Sequence, residues 1–576
     1  MKRFSLAKKT FSSKKYYSML LGGTLTSIVV TILLMSDFMI AGVCVGNDAV
    51  TSINLVIPIY TLSVFFGEIF SLGVPLLFSK EMGRFDKDKA NKIYAVANLT
   101  TIIVGIISFV LLSLFGDDYI AFYNPGTEVF NYSIEYLNWM RFVALILPFT
   151  NLLAGMVYAD GDEKLGAVSN IIFAFMNIIL SYILGRRFGV SGIGLASFIA
   201  YILLILMCLF HFLKKSNSLK LGFTFSFTEL KEIVRFSFVD SSIFFSLAIF
   251  SFVINKYFEL SFGVTALSLV VIINLIKEID FIFDGIGNAM TPLISIYYGE
   301  ESYKGIEEVF KLARQSSIVE SLFITTLLWV FAPNIVYLLG INTEPYLSLS
   351  IYALRVMSLS YVFTSFIYLI TTYYLLINEI SFGIIISFMR DLIAILFLSI
   401  LFGNIFGIKG VFWGVALSPI VVYSINALII IRRRGIKNYP LMLDKMTNNR
   451  SLFYEFMLSP QNIMDIQAKM IEGLKKESCS DIAIARASLI FEEIYMLVYN
   501  KNKGKTVYAE CSISILDDKI KMILKDDGEL FDITDSDINV DSLSSYVVSS
   551  MLSNINRKQY LMTLSYNRNV FEIKRA

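Results

Sequence analysis

Long apolar runs recur along this chain as far as Ile431. Each run holds about 20 or more mostly apolar residues, which at 1.5 Å per helical residue is enough to cross a hydrocarbon core of about 30 Å. The pattern predicts an α-helical polytopic membrane protein. Twelve transmembrane helices are expected, beginning near Leu20, Val50, Ala95, Leu137, Leu165, Val190, Phe236, Thr265, Ser317, Tyr352, Ile380 and Val411.

Composition and charge agree with a chain that lies in a lipid bilayer. Charged residues make up 17% of it, against about 25% in an average soluble protein. The net charge of +2 gives no reason to expect nucleic acid as a partner. The four cysteines lack any paired spacing, so neither a disulfide framework nor a metal site is predicted.

The distribution of Lys and Arg predicts the orientation of the helices, because cytoplasmic loops retain basic residues. The basic segment MKRFSLAKKTFSSKKYY precedes an apolar run that is too long for a signal peptide and lacks a cleavage site. With this segment inside, the basic residues left on the outer side are Arg186, Arg187, Lys256 and Lys409. We therefore predict a multi-pass protein of the plasma membrane with both termini in the cytoplasm.

Short motifs return at a nearly constant spacing in the two halves of the apolar region. FGVSGI, at 188–193, returns as FGIKGV at 406–411, and Glu68 in the first half corresponds to Asp284 in the second. A repeat of six helices keeps the same topology in both copies, which predicts two pseudo-symmetric six-helix bundles. Transporters built in this way hold the substrate between the bundles and alternate access by rocking them.

The repeat and a later change of composition divide the chain. We expect an N-terminal six-helix lobe at 1–218, a C-terminal six-helix lobe at 219–435, a linker at 436–449 and a small cytosolic α/β sandwich at 450–576, which we call the tail. The tail is predicted because short alternating segments of strand and helix length replace the long apolar runs there.

Six stretches of the apolar region follow one another in a specific order and spacing: LLMSDFMIAG, SKEMGRFDKDKA, ADGDEKLGAVSN, GVSGIGLAS, NAMTPLISIYYGE and FMRDLIAILF. Over about residues 15–435 the chain thereby resembles the multidrug and toxic compound extrusion (MATE) antiporters. The resemblance implies two six-helix lobes around a V-shaped cavity, and export of cationic or amphipathic compounds in exchange for H⁺ or Na⁺. Lipid-linked precursor flippases share this architecture, so the fold alone does not choose between them.

Ionisable side chains inside apolar helices are candidate functional residues, because a charge near the bilayer centre costs about 2.5–3.5 kcal/mol on insertion scales. Asp37 matches the acid that binds the coupling ion in MATE antiporters, and its alternative role is a helix-end carboxylate near the outer interface. Asn177 matches a polar partner of that acid. Ser181 stands where the family usually has a second acid, which implies a simpler ion-coupling network here.

A second group, formed by Glu68, Lys277, Asp280 and Asp284, is predicted to shape the charge of the substrate cavity. The last three are spaced to share one helical face. They form either an internal ion pair that fixes the helix or a polar wall whose surplus negative charge receives a cation. The neighbouring Glu278 points about 100° away from them, toward another helix.

In the tail, Glu493 lies on a predicted helix, and Asp526 and Gly528 belong to an acidic turn after a predicted strand. These residues and the order of elements resemble the ATP-binding domain of histidine kinases and anti-sigma-factor kinases, in which such a turn binds adenine. Leu497 stands at the position of the Asn that holds magnesium in that family, and Leu offers no oxygen to a metal.

The expected phosphate lid of the tail is altered as well, because Ser542 and Ser544 replace glycines whose backbone approaches the phosphates. Two hypotheses remain for the tail. It is a degenerate ATPase-like fold kept to bind a cytosolic protein partner or to regulate transport, or it binds a nucleotide without hydrolysing it. Kinase or ATPase activity is not expected.

Together these features predict an ion-coupled (H⁺ or Na⁺) secondary antiporter that exports cationic or amphipathic small molecules by alternating access, with a cytosolic regulatory domain. The protein is not expected to be an enzyme, and no catalytic residue, resident metal or required cofactor is predicted. One alternative is a lipid-linked precursor flippase, whose cavity needs Arg or Lys for pyrophosphate. Another is a membrane sensor that signals through the tail.

Overall fold

The computed structural model describes residues 10–83, 86–214, 217–300, 302–436, 439–442, 450–516, 518–529, 559–560 and 566–575. The lid segment of the tail, with Ser542 and Ser544, lies outside the described residues. The described chain consists of an apolar helical region followed by a sheet with two helices.

The apolar region folds into helices joined by short turns. They are α1 (Phe11–Cys44), α2 (Asn47–Gly83), α3 (Lys87–Ala121), α4 (Thr127–Ala159), α5 (Glu163–Leu209), α6 (Phe227–Phe262), α7 (Leu267–Ile279), α8 (Asp284–Gly299), α9 (Tyr303–Leu338), α10 (Tyr346–Ser358), α11 (Tyr361–Leu376), α12 (Ile380–Phe388), α13 (Ala394–Phe406) and α14 (Ile408–Arg434). A 3₁₀ turn, Asp280–Phe283, joins α7 to α8, and a π-helical turn, Met389–Ile393, joins α12 to α13. Both irregular turns carry ionisable residues, as functional sites often do.

The polytopic helical fold is confirmed, whereas the count of twelve crossings stays a prediction. Among the described residues, nine helices are long and apolar enough to cross a membrane, and the bent pair α10–α11 makes a tenth. Helix α5 has 47 residues and leaves helical geometry at Gly189. Because 47 residues rise roughly 70 Å, its two halves take the place of two predicted helices. The interrupted pair α7–α8 takes the place of the eighth.

The two copies of the repeated motif share one backbone geometry. Gly189 and Gly407 have φ of 62° and 68°, in the left-handed region that glycine enters without steric cost. Three residues after each of them, Gly192 and Gly410 lie so close to the preceding helix that a Cβ would overlap its backbone carbonyl. This equivalence supports an internal repeat, while the lobe boundaries remain predictions.

The predicted lobes contact each other at two levels along α1. A Cβ at Gly23 would lie 2.7 Å from the carbonyl oxygen of Gly285 in α8, and Gly42, near the other end, is packed against the backbone of Leu338 and Leu339. Only glycine allows such close approach of two helices. The V-shaped cavity implied by the family resemblance is therefore not open at either of these positions.

The tail contains an antiparallel sheet with strand order β1-β2-β3-β5-β4. Its elements are β1 (Arg450–Met457), α15 (Pro460–Lys476), α16 (Asp481–Lys501), β2 (Tyr508–Ile515), β3 (Lys519–Asp526), β4 (Gln559–Tyr560) and β5 (Asn567–Lys574). Alternate strand residues such as Cys511, Ile513, Met522 and Leu524 form a core with α15 and α16. The opposite face of the sheet carries Glu510 and Lys525, which are nevertheless buried. A small α/β unit is therefore present, while its kinship to ATP-binding domains stays a prediction.

Candidate functional site

Asp37 lies on α1, half-buried, and faces α4 and α5. The Tyr136 hydroxyl donates to Oδ2 at 2.8 Å, and Ser181 and Ser197 donate to Oδ1 and Oδ2 at 3.3 Å each. Asn177 completes the group, because its Nδ2 donates to Ser197 Oγ at 3.0 Å. The structure thus brings the three predicted residues together around one carboxylate. All of the partners are neutral, so charge at this site changes with whatever cation the carboxylate takes up.

Two members of this group, Tyr136 and Ser197, were not predicted from the sequence. Tyrosine and serine are frequent in apolar helices, and neither shows a motif that sets it apart. A further pair, Tyr60 and Tyr201, has hydroxyls 3.3 Å apart and interacts electrostatically with both Asp37 and Glu68.

Glu68 lies on α2 and is satisfied within the same lobe. The Ser71 hydroxyl donates to its Oε2 at 2.5 Å, and Asn151 Nδ2 donates to its Oε1 at 2.8 Å. These contacts hold the carboxylate against α2 and α4. The structure does not bring Glu68 together with Lys277 and Asp280, which belong to a separate cluster.

That cluster is built around the irregular turns of the second lobe. Lys277 Nζ lies 2.9 Å from Asp280 Oδ2 and 3.5 Å from Asp391 Oδ1, and Arg390 forms two hydrogen bonds with Asp391 at 2.8 and 2.6 Å. The Arg390 guanidinium also lies 3.6 Å from the centre of the Tyr368 ring. Two positive and two negative side chains are buried together, which matches the internal ion-pair alternative.

Three further observations define this cluster. Asp284, the first residue of α8, also interacts electrostatically with Arg390. A small internal cavity is lined by Lys277, Asp280, Tyr361 and Arg390. Asp280 Oδ1 and Arg390 Nη1 lack hydrogen-bond partners among the described residues. Polar atoms of this kind line the space where a water or a small polar group fits.

Glu278 is an acid that sequence reasoning set aside. It lies on α7, half-buried, and its carbonyl oxygen accepts from Thr31 Oγ1 of α1 at 3.5 Å. Its carboxylate interacts electrostatically with Asp37, and its Oε2 has no hydrogen-bond partner among the described residues. The sequence contained one signal for this placement. Because Glu278 follows Lys277 directly, its side chain points about 100° away from that of Lys277, away from the ion pairs.

The acidic turn of the tail is closed by groups of the chain itself. Asp526 Oδ1 accepts from Asn567 Nδ2 at 2.9 Å and from the Gly528 amide at 3.1 Å. Asn502 Oδ1 accepts a hydrogen bond from the Glu529 amide at 2.9 Å. A Cβ on Gly528 would lie 2.7 Å from the Asn502 side chain. Glu493 is half-buried on α16. Side-chain amides thus occupy the turn that the resemblance assigns to adenine.

Asp526 makes the stability of the tail depend on pH. Burial raises its pKa from 3.8 to about 7, and the hydrogen bonds from Asn567 and Gly528 oppose the rise only in part. Its contribution to stability is fully present below the unfolded value and is lost as the pH rises through about 7. We expect the unfolding temperature of the full-length protein to fall by a few degrees between about pH 5 and pH 8.

Scanning calorimetry of the wild type and of Asp526→Asn tests this expectation. The variant keeps a side-chain acceptor for Asn567 but does not titrate, so the fall in unfolding temperature should become shallower. An equal fall in both proteins would show that another group is responsible.

Comparison with known proteins identifies the family to which the helical region belongs. The family model MatE matches residues 24–183 and 241–401, together more than half of the chain, and the two matches start at repeat-equivalent positions. The multidrug export protein MepA of Staphylococcus haemolyticus is 21% identical over 435 residues, covering 74% of this chain and 94% of the relative. MepA of Staphylococcus saprophyticus is 20% identical over 417 residues, covering 71% and 90%.

Solved structures show the same fold. An inward-facing multidrug resistance MATE family transporter of the MOP superfamily has a TM-score of 0.66 and 20% identity, covering 71% of this chain and 96% of that one. A MOP superfamily transporter from Pyrococcus furiosus, described as having a binding pocket of reversed polarity, has a TM-score of 0.60 and 20% identity, covering 73% and 96%. The chain therefore belongs to the MatE family of multi-pass membrane transport proteins, which confirms a transporter rather than an enzyme.

Proposed function

We propose that this protein is an ion-coupled secondary antiporter that exports cationic or amphipathic small molecules by alternating access. The observation that carries this proposal is Asp37, an acid inside an apolar helix that is held only by neutral donors. Such a carboxylate takes up a proton or Na⁺ without any positive side chain having to leave it. The relatives named as multidrug export proteins support the substrate class.

Asp37 holds the coupling ion in the first lobe. Its carboxylate and the oxygens of Tyr136, Ser181 and Ser197 form a set of oxygen ligands that accepts either H⁺ or a hard cation. Because Ser181 replaces a second acid, the set carries one negative charge rather than two. Fewer charges favour H⁺ over Na⁺ as the coupling ion.

Glu278 is a second acid, and it lies on α7 of the opposite lobe. This helix contacts α1 where Thr31 donates a hydrogen bond to the Glu278 backbone carbonyl. A cationic substrate between the lobes neutralises such a carboxylate, and so does protonation. In antiport, a proton and a cationic substrate replace each other at a shared site. We propose that Asp37 and Glu278 form that site where the two lobes meet.

The membrane placement and the tail complete the proposal. Both termini lie in the cytoplasm, and the tail acts as a regulatory module rather than a nucleotide enzyme. Support comes from the turn at Asp526, whose Oδ1 already accepts hydrogen bonds from Asn567 and Gly528. Neither a resident cofactor nor ATP is required, because an ion gradient supplies the energy. A cytosolic protein partner for the tail remains part of the proposal.

The flippase alternative requires positive side chains that face a pyrophosphate. Lys277 and Arg390, which lie inside the helical region, are already paired with Asp280 and Asp391. Binding a pyrophosphate there would leave buried carboxylates without their partners, which is costly. The sensor alternative predicts that solute flux depends on the tail, so strong flux in a tail-deleted protein would count against it.

Reconstitution into liposomes tests the proposed function. Purified protein is incorporated, a fluorescent organic cation is added, and a pH gradient or a Na⁺ gradient is imposed. Cation transport that follows one of the gradients, and stops when an ionophore collapses it, is the expected result. Absence of transport under both gradients, together with flipping of a labelled pyrophosphate lipid, would favour the flippase instead.

A further inference from the structure

We propose that the tail is an intramolecular clamp that joins the start of α1 to the α8–α9 corner and keeps the two lobes together on that side of the membrane. The clamp goes beyond ion-coupled export and rests on the proposed function in one respect, because it assumes that the lobes move apart during transport. It gives the tail a mechanical role that needs no nucleotide.

One row of charged residues crosses the sheet on the face opposite α15 and α16. Glu455, Glu510, Lys525 and Arg568 are successive cross-strand partners on β1, β2, β3 and β5. We call these four residues the charged row. Its outer pairs are like-charged, and like charges directly opposite each other destabilise a sheet. Glu510 and Lys525 are also 0% and 1% exposed, so another part of the chain must cover them.

The α8–α9 corner covers the middle of the charged row. Glu300, itself 1% exposed, places Oε2 at 2.7 Å from Lys525 Nζ and Oε1 at 2.6 Å from Arg568 Nε. The Tyr297 hydroxyl donates to Glu510. One carboxylate thus separates the two cations of the row, while Glu510 pairs with Lys525 at 3.0 Å. Both cations of the row therefore reach a carboxylate of the helical region only when the tail is docked on this corner.

The start of α1 covers the other end of the sheet. The Ser12 amide donates to Glu455 Oε1 at 2.7 Å, and the Phe11 ring packs edge-on against Tyr566 with centroids 5.3 Å apart. Lys14 Nζ lies 2.6 Å from Asp527 Oδ2 in the acidic turn of the tail. A turn that resembles an adenine site therefore holds the first transmembrane helix.

These two docking sites belong to different predicted lobes. Helices α1 and α8 touch directly at Gly23 and Gly285, a few turns beyond the tail contacts. If the lobes separate on this side, α1 and α8 part and the tail must release one of them. In the pair at α1, Lys14 is 51% exposed and Asp527 is 3% exposed, whereas Glu300 and Lys525 are each 1% exposed. Since a partly exposed pair costs less to break than a fully buried one, α1 is the side that releases.

A charge swap measured by spin-label distances tests the clamp. Labels at Lys87→Cys on α3 and Lys311→Cys on α9, with Cys44 and Cys479 replaced by Ser, report the separation of the lobes. We expect Lys14→Glu and Asp527→Lys each to raise the long-distance population by up to about five-fold. The double variant restores a pair of opposite charges and should return the distribution to that of the wild type.

A matched control is Lys476→Glu, which breaks an exposed ion pair with Glu472 that lies within the tail and away from the docking sites. It should leave the distances unchanged. Unchanged distances in both single variants, or a double variant that behaves like the sum of the singles, would overturn the clamp. The distances are measured without substrate or gradient, so a failed liposome assay would overturn transport alone and leave the clamp standing.

Discussion

Replacing Asp37 with Asn is expected to reduce gradient-driven efflux to the level of protein-free liposomes. An Asn side chain keeps an oxygen that accepts from Tyr136 or Ser197, so the helix contacts are preserved. It neither binds a proton nor carries a charge, and the coupling ion loses its only acidic ligand in that group of contacts. The measurement is efflux of a fluorescent cation under an imposed pH or Na⁺ gradient.

Two matched variants separate coupling from substrate binding. Ser181→Ala removes a 3.3 Å hydrogen bond and keeps the carboxylate, so efflux should fall only several-fold, as expected for a net loss of about 1 kcal/mol. Glu278→Gln removes the opposing acid, and we expect weaker binding of cationic substrates with gradient dependence retained. Efflux at the wild-type rate in Asp37→Asn would exclude Asp37 from coupling.

The sequence predicts the centre of this site better than its surroundings. Asp37 stands out because an acid in an apolar helix is costly, and Asn177 and Ser181 are four residues apart on one helical face. Tyr136 and Ser197 reach the same carboxylate from other helices. Their position depends on how three helices pack, and local patterns carry no information on packing between distant segments.

The second lobe illustrates the same limit. The spacing of Lys277 and Asp280 predicts their common face, and the structure places them in an ion pair. Their third partner, Asp391, comes from a π-helical turn more than a hundred residues later. The spacing of residues in the sequence does not predict this π-helical turn. The sequence alone therefore left open whether Lys277 and Asp280 form an ion pair or an open polar wall, because the contact between Lys277 and Asp391 depends on the fold.

The tail shows why a correct local pattern still misleads. The strands are visible in the sequence because apolar residues alternate with polar ones, and this alternation is typical of a sheet with one face in water. Here the polar face is the one that docks on the helices through Glu510 and Lys525. Buried charge of this kind has the same sequence pattern as exposed charge, so docking was not predicted.

Reversing the charge of Glu300 is expected to detach the tail from the helical region. In Glu300→Lys, three positive groups face one another at a site where Lys525 is 1% exposed. Removing one partner of a buried pair costs about 3–5 kcal/mol, because the remaining charge stays desolvated. Ser512, whose hydroxyl lies 3.0 Å from that of Ser302, reports the opening of this contact. A Ser512→Cys probe should react with a polar thiol reagent at least about 100-fold faster in the variant.

The control for this prediction is the same chemical change at an exposed position. Glu472→Lys acts on a surface ion pair of α15, which contributes little to stability, and the reaction rate of the probe should not change. If the probe reacts equally fast with and without Glu300→Lys, the carboxylate of Glu300 does not hold the tail. Lys525 would then have to be balanced by Glu510 alone, and because Glu510 is on the same sheet, nothing electrostatic would tie the charged row to α8.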